Sequence, residues 1–301
     1  MKILITGGSG LVGSHLTRLL VQQGHQVQHV SRKKYTHPQA QVFEWDPVNM
    51  KIESGALEGV DAVVNLAGAG VADKRWTPSR KRTLLESRTK SLQCLYKLVS
   101  KMNIRPRALI SASGIGFYGR QPIDKISTEA DKPGDTFLAE ICELWEKEAL
   151  KFEKLDTRVS LLRIGIVLDR YKGALPKIAQ PIRWYAGAPL GSGTQIMPWI
   201  HILDMCRMIL FVLNNEVFGP INAVGLDAQS NADFSHSLAR VLQKPILLPR
   251  VPDFILKAIL GEMAEIVLDG NRVSNQKICD AGFEFKFSNL EEALQEIYSV
   301  N

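Results

Sequence analysis

A glycine-rich turn near the start of the chain constrains the fold more than any other feature. Residues 6–13 read TGGSGLVG, directly after an apolar run at 2–6 and before a helical pattern that ends near Gly24. In such a strand–turn–helix unit the glycines allow a tight turn and a close approach of bare backbone to a diphosphate, and the helix N-terminus adds free N–H groups. We therefore predict a dinucleotide site, the alternative being a glycine turn that only packs tightly. The predicted contacts are Gly7, Gly8, Gly10, Leu11, Val12 and Gly13.

The end of the second predicted strand indicates which dinucleotide would bind. Residues 30–34 read VSRKK, where a site for NAD would place an aspartate or glutamate against the ribose 2′-hydroxyl. Arg32 can make a forked contact to a 2′-phosphate, and Ser31 can donate a second hydrogen bond. We predict NADP(H) rather than NAD(H). The alternative is that Arg32 and Lys33 are solvated loop charges.

Strand-like and helical patterns alternate through the first half of the chain, and the runs at 62–66 and 108–110 are nearly all apolar. Alternation of this kind specifies a parallel sheet with helices on both faces, whose strands are buried on both sides. We therefore predict an α/β fold, a Rossmann-type doubly wound parallel sheet with a smaller C-terminal α/β lobe. Glycine and proline cluster beyond residue 168, so we place the Rossmann domain at 1–168 and the smaller lobe at 169–301. A return of the chain to the first domain is expected within 195–225.

Composition excludes several other classes of protein. The net charge of +6 is small enough to suit a protein that handles phosphorylated cofactors, and we expect no nucleic-acid partner. The four cysteines show no CxxC spacing, so we expect no metal site and no disulfide framework. Apolar runs are broken by charge or proline before about 18 residues, so we expect no membrane span. The first residues already form a strand, which leaves no room for a leader, and we expect a cytoplasmic protein.

Further motifs resemble the extended short-chain dehydrogenase/reductases, the NAD-dependent epimerase/dehydratase superfamily. Asn65 begins an NLAG motif, and residues 111–119 read SASGIGFYG. Motifs along the rest of the chain resemble an atypical epimerase family that ends in a C-terminal domain of unknown function, here at about 250–301. These motifs lie at residues 72–77, 86–88, 163–168, 191–193, 198–201 and 281–285.

The resemblance implies cofactor contacts beyond the glycine turn. Leu66, Ala67 and Gly68 would line the ribose. Arg88 and Val167 would complete the cofactor site, the alternative for Arg88 being a surface helical charge.

The usual proton donor of that superfamily is missing. Its members normally use a Tyr-x-x-x-Lys pair, in which the lysine charge favours tyrosinate. No tyrosine here has a lysine four residues later, and residues 137–142, where the pair belongs, read FLAEIC. Ser113 matches the superfamily serine and Tyr118 is the nearest phenol, so these two are our catalytic candidates. The alternatives are that Ser113 is only a turn residue at a strand end and that Tyr118 is only a packing element. Glu140 is a weaker catalytic candidate.

Two residues of the second half are expected to be structural rather than catalytic. His201 and Asp204 stand at a strand-to-helix junction, where Asp204 is predicted to cap the following helix.

Two functional hypotheses follow. The first is an NADP(H)-dependent oxidoreductase or epimerase that acts on a small hydroxyl- or carbonyl-bearing substrate, a nucleotide-linked sugar being one candidate. The second is a non-catalytic NADP(H)-binding sensor or regulatory protein, since a fold alone does not establish chemistry. Substrate identity, reaction direction and oligomeric state are left open by the sequence.

Overall fold

The computed structural model describes residues 1–299. The strands are β1 (Lys2–Thr6), β2 (Gln26–Ser31), β3 (Gln41–Asp46), β4 (Lys51–Ile52), β5 (Ala62–Asn65), β6 (Ala108–Gly114), β7 (Ile126–Ser127), β8 (Arg158–Ile164), β9 (Ile166–Leu168), β10 (Ile196–Met197), β11 (Trp199–His201), β12 (Gly219–Ala223), β13 (Gln229–Ser230) and β14 (Arg272–Val273). The helices are α1 (Leu11–Gln22), α2 (Pro78–Lys101), α3 (Phe137–Leu150), α4 (Leu175–Arg183), α5 (Ile202–Asn214), α6 (Asn231–Val241), α7 (Asp253–Leu260), α8 (Glu265–Leu268), α9 (Gln276–Asp280) and α10 (Leu290–Ser299).

An eight-stranded sheet organises the molecule. Its strand order is β12-β8-β6-β5-β1-β2-β3-β4, and its pairs are parallel except β3 with β4. The predicted doubly wound parallel sheet is thereby confirmed. The order reverses at β1, whose two neighbours are β2 and β5. Ligands of open α/β sheets bind at the carboxyl ends of the strands beside such a reversal.

The core consists of apolar layers on the two faces of this sheet. Ile3 and Ile5 of β1 pack with residues of α1 and α5, whereas Leu4 packs with residues of α2 and α3. All three side chains are fully buried. This alternation follows from the two-residue period of a strand and explains why β1 is apolar throughout.

The second half of the chain contributes to the sheet and also forms the smaller lobe. β12 lies beside β8 in parallel, so the chain rejoins the sheet at residues 219–223. Helices α4, α6 and α10 pack around Phe234, Leu238 and Leu294 to form a separate core. The domain division at residue 168 stays a prediction. Within residues 1–299, no helix combines the length and apolar character that a bilayer crossing requires.

His201 and Asp204 hold the C-terminal segment in place. The Asp204 carboxylate accepts hydrogen bonds from the backbone N–H groups of Lys286 (2.9 Å) and Phe287 (3.1 Å). The prediction that Asp204 caps α5 is wrong, because His201 Nδ1 accepts the N–H of Leu203 and is itself the cap. The Asp204 carboxylate instead satisfies two backbone N–H groups of a loop that is distant in sequence. The sequence pattern cannot show this contact.

Candidate functional site

The glycine turn leaves the start of α1 open to a ligand. Gly7 has φ +72°, and a Cβ there would lie 2.8 Å from the Leu66 carbonyl oxygen. A Cβ on Gly13 would lie 2.5 Å from the carbonyl oxygen of Gly7. Gly10 precedes α1 without a side-chain cap, and no acidic residue lies in the first turn of the helix. The turn therefore presents backbone N–H groups and the positive end of a helix, which suits an anion.

Hydrogen bonds at the ends of β1 and β5 hold the next predicted contacts beside this turn. The Thr6 hydroxyl donates to Asn65 Oδ1 (2.8 Å) and accepts from the N–H groups of Leu66 and Ala67, each at 3.1 Å. The structure thus brings the 66–68 segment next to Gly7. Thr6 and Asn65 were not predicted, although polar residues that end apolar strands are a usable signal.

The basic end of β2 lies at the same edge of the sheet. β2 runs parallel to β1 with Val30 opposite Thr6. Ser31 is half-buried, and Arg32 and Lys33 are exposed. The Arg32 guanidinium is therefore accessible to a ligand that extends from the glycine turn along the sheet edge.

The His29 side chain packs against the glycine turn, and it was not predicted as a site residue. Its fully buried ring lies against Gly8, where a Cβ would be 2.5 Å from ring atoms. The Thr17 hydroxyl donates to the Gly13 carbonyl (2.7 Å), so it accepts from His29 Nε2–H at 2.7 Å. Nδ1 then accepts from the Tyr35 hydroxyl at 2.7 Å, which requires a neutral ring. Burial, with a smaller contribution from nearby His37, lowers the pKa of His29 to about 4.

This neutral histidine makes stability depend on pH. Its pKa rises from about 4 in the folded chain to its ordinary 6.5 on unfolding, so between these values only the unfolded chain takes up the proton. Its contribution to the free energy of unfolding is complete above pH 6.5 and is lost as the pH falls towards 4. We expect a loss of roughly 2 kcal/mol between pH 6.5 and about 5, measured by urea denaturation.

Two variants isolate this effect. His29→Gln should make the dependence on pH in that interval less steep, while the same change at exposed His236 should leave the wild-type slope. Some slope should remain in His29→Gln, because burial also lowers the pKa of His25 and of His201. An equally steep slope in His29→Gln would contradict the assignment.

Arg88 is a buried cation beside Gly68. Its guanidinium donates to the Leu84 carbonyl oxygen (2.9 Å) and lies 4.9 Å from the centre of the Trp145 ring. A Cβ on Gly68 would be 3.1 Å from Arg88 Cζ, a tight contact that would require the guanidinium to shift by a few tenths of an ångström. Burial lowers the pKa of Arg88, and within residues 1–299 no carboxylate pairs with it. A buried cation without a counter-charge favours the approach of a polar or anionic ligand.

Ser113 and Tyr118, the catalytic candidates, lie on one buried chain of hydrogen bonds. The Ser113 hydroxyl donates to Glu146 Oε1 (2.7 Å), and Glu146 forms a two-bond ion pair with Arg163, each bond 2.9 Å long. Arg163 also donates to the Tyr118 hydroxyl (3.1 Å), which in turn donates to Asn222 Oδ1 (2.5 Å). Burial raises the pKa of Tyr118 to about 12, although the Arg163 charge opposes this. The phenol is therefore neutral and both its hydrogen-bonding roles are already used.

A cleft of about 780 Å³ lies between the N-terminal ends of α2 and α3 and the C-terminal segment. Phe137 lines it and begins the segment 137–142 in which the Tyr-x-x-x-Lys pair is expected. The opposite wall includes Lys257 and Glu265, and burial, reinforced by Asp269, raises the pKa of Glu265. Neither Ser113 nor Tyr118 is among the lining residues. Glu265 was not predicted, because nothing in its local sequence distinguishes it from an exposed helical carboxylate.

Val167, the last predicted contact, lies on β9 opposite Ile200 of β11. It packs at the edge of the same apolar cluster as Leu11 and Val12. The structure therefore places it near the start of α1.

Family models and relatives match this arrangement. The model of the NAD dependent epimerase/dehydratase family matches residues 3–139, and that of a domain of unknown function (DUF1731) matches residues 251–297. An epimerase family protein of Staphylococcus aureus is 39% identical over 303 residues, which cover 99% of each chain.

Solved structures agree with these matches. The human epimerase family protein SDR39U1 (isoform 2), crystallised with NADPH, is 32% identical and superimposes with a TM-score of 0.89 over 100% of both chains. A nucleoside-diphosphate sugar epimerase from Corynebacterium glutamicum is 30% identical, with a TM-score of 0.78 over 99% of this chain and 58% of that one. The resemblance seen in the motifs is confirmed, and the chain belongs to the NAD-dependent epimerase/dehydratase family as an epimerase family protein with a DUF1731 domain.

Proposed function

We propose that this protein binds NADP(H) at the glycine turn and acts as an oxidoreductase or epimerase on a small hydroxyl- or carbonyl-bearing substrate. The observation that carries the proposal is the turn itself. Gly7 and Gly13 have no space for a side chain, and α1 begins without a cap, so the backbone is shaped for a diphosphate.

Arg32 supports NADP(H) over NAD(H). Arg32 stands exposed at the end of β2, where recognition of the ribose 2′-hydroxyl would require an acidic residue. Arg88 supplies a buried charge beside Gly68, where the ribose is predicted to lie, and would serve either dinucleotide. The human relative that was crystallised with NADPH agrees with this preference.

The bound nicotinamide would supply or accept a hydride, and this chain must then exchange the proton. The Ser113 hydroxyl already donates a hydrogen bond to Glu146, and Tyr118 is buried. Glu265 lines the cleft with a raised pKa, so it is the carboxyl group best suited to exchange a proton with a substrate there.

Arg32→Ala tests the choice of cofactor. We expect affinity for NADPH to fall by about tenfold or more, because a forked, charge-assisted contact to the 2′-phosphate is lost. Affinity for NADH should stay within about twofold, since NADH lacks that phosphate. Titration of wild type and variant by NAD(P)H fluorescence measures both. No binding of either dinucleotide to the wild type would remove the proposed function, and a preference for NADH would remove its NADP(H) part.

A sensor without catalysis is the second candidate, favoured by the engagement of Ser113 and Tyr118 in the buried chain. It predicts tight NADPH binding without cofactor turnover across a broad panel of carbonyl compounds and nucleotide sugars. Consumption of NADPH with any of them, lost in Glu265→Gln while NADPH binding survives, would exclude the sensor.

A further inference from the structure

The 169–173 loop, which connects β9 to α4, crosses the start of α1. Asp169 is buried, and its Oδ2 lies 3.1 Å from Nε2 of His15 on α1. Further along the loop, a Cβ on Gly173 would be 3.0 Å from Leu11 Cδ2. The loop is therefore held against α1 at both ends.

The same aspartate sets the position of Lys172. Asp169 Oδ1 accepts the backbone N–H groups of Tyr171 (2.9 Å) and Lys172 (2.7 Å), which shapes a tight turn. From this turn Lys172 Nζ reaches the carbonyl oxygen of Ser9 at 3.4 Å. Ser9 lies between Gly8 and Gly10, inside the glycine turn.

The charge of this lysine suits the glycine turn. Ser9 and Lys172 are both exposed, so a ligand at the turn can reach the ammonium group. Within residues 1–299, Lys172 forms no ion pair with a carboxylate. A 3.4 Å contact to a neutral carbonyl in solvent is weak, whereas a hydrogen bond to an anionic oxygen is shorter and stronger. The ammonium group would therefore exchange the carbonyl for a phosphate oxygen.

We propose that Lys172 binds the diphosphate of the dinucleotide, so that the loop after β9 adds a cation to the backbone N–H groups of the glycine turn. This inference rests on the proposed function. It separates two roles among the cations: Lys172 would recognise the diphosphate common to both dinucleotides, and Arg32 the 2′-phosphate that only NADP(H) carries.

Lys172→Met tests the proposal. We expect the variant to bind NADPH and NADH about tenfold more weakly than the wild type, by the same factor for both, and with a smaller dependence on salt. The matched control is Lys177→Met, an exposed lysine of α4 whose Nζ contacts the Ala72 carbonyl oxygen instead (3.4 Å). The control should bind both dinucleotides as the wild type does. Because Lys172 is exposed, its variant should retain the wild-type far-UV circular dichroism and melting temperature.

The outcomes distinguish this inference from the proposed function. Wild-type protein that binds neither dinucleotide would overturn the proposed function and this inference together. Wild-type binding with unchanged affinities in Lys172→Met would overturn the inference alone. A loss confined to NADPH would also overturn it, because Lys172 would then recognise the 2′-phosphate.

Discussion

Gly13→Val should abolish measurable dinucleotide binding, with a loss of more than about 100-fold in affinity. The new Cβ would lie 2.5 Å from the Gly7 carbonyl oxygen and 2.7 Å from Gly8 Cα. Both neighbours are backbone atoms of the glycine turn, so the turn itself must move away from α1. The N–H groups of the turn would then no longer point at one diphosphate. Overpacking of this kind also costs about 1–3 kcal/mol of stability. Titration with NADPH and urea denaturation would measure the two effects.

Gly24→Ala separates loss of stability from loss of binding. Gly24 has φ +77°, but nothing lies within 4 Å of the Cβ that alanine would add. We expect a cost of about 1–2 kcal/mol from the left-handed backbone and unchanged binding of NADPH. Should Gly13→Val bind NADPH as tightly as Gly24→Ala does, the glycine turn would not be the diphosphate site.

Glu146→Ala should destabilise the protein by about 3–5 kcal/mol, which lowers the melting temperature by roughly 6–10 °C. Glu146 and Arg163 are both buried and joined by two hydrogen bonds of 2.9 Å. Removal of the carboxylate leaves a guanidinium without its counter-charge between β8 and α3. It also deprives the Ser113 hydroxyl of its acceptor.

A double variant and a surface control distinguish the buried charge from a general packing defect. Glu146→Leu combined with Arg163→Met should recover most of the lost stability, because no unpaired charge remains. The ion pair between Lys151 and Glu148 is more exposed, with 42% and 14% of the two side chains accessible, so Glu148→Gln should change stability by at most about 1 kcal/mol. If Glu146→Ala were as stable as Glu148→Gln, the buried pair would not hold α3 to the sheet.

The buried chain from Ser113 to Asn222 also bears on catalysis. It links β6, α3, β8 and β12 through buried side chains. Ser113 and Tyr118 therefore have a structural role, because they help to hold these elements together. The cleft lies elsewhere, between Phe137 and the DUF1731 segment at 257–268. A reaction in that cleft would then depend on residues of the C-terminal domain, which motifs of the Rossmann half do not reveal.

The sequence by itself determined the features that depend on neighbours along the chain. The order of strands and helices follows from hydrophobic periodicity, and the turn before α1 follows from glycines at defined offsets. The basic end of β2 is equally local, since Arg32 comes directly after that strand.

Only the tertiary structure decided which side chains meet across long stretches of chain. His29 lies against Gly8, Arg88 beside Gly68, and Lys172 reaches Ser9 across 163 positions of sequence. Such contacts depend on how helices and strands pack, and many different residues could occupy either position without altering the local pattern. Periodicity and turn chemistry act over a few residues, whereas the burial of charge and the sharing of hydrogen bonds depend on the whole packed arrangement.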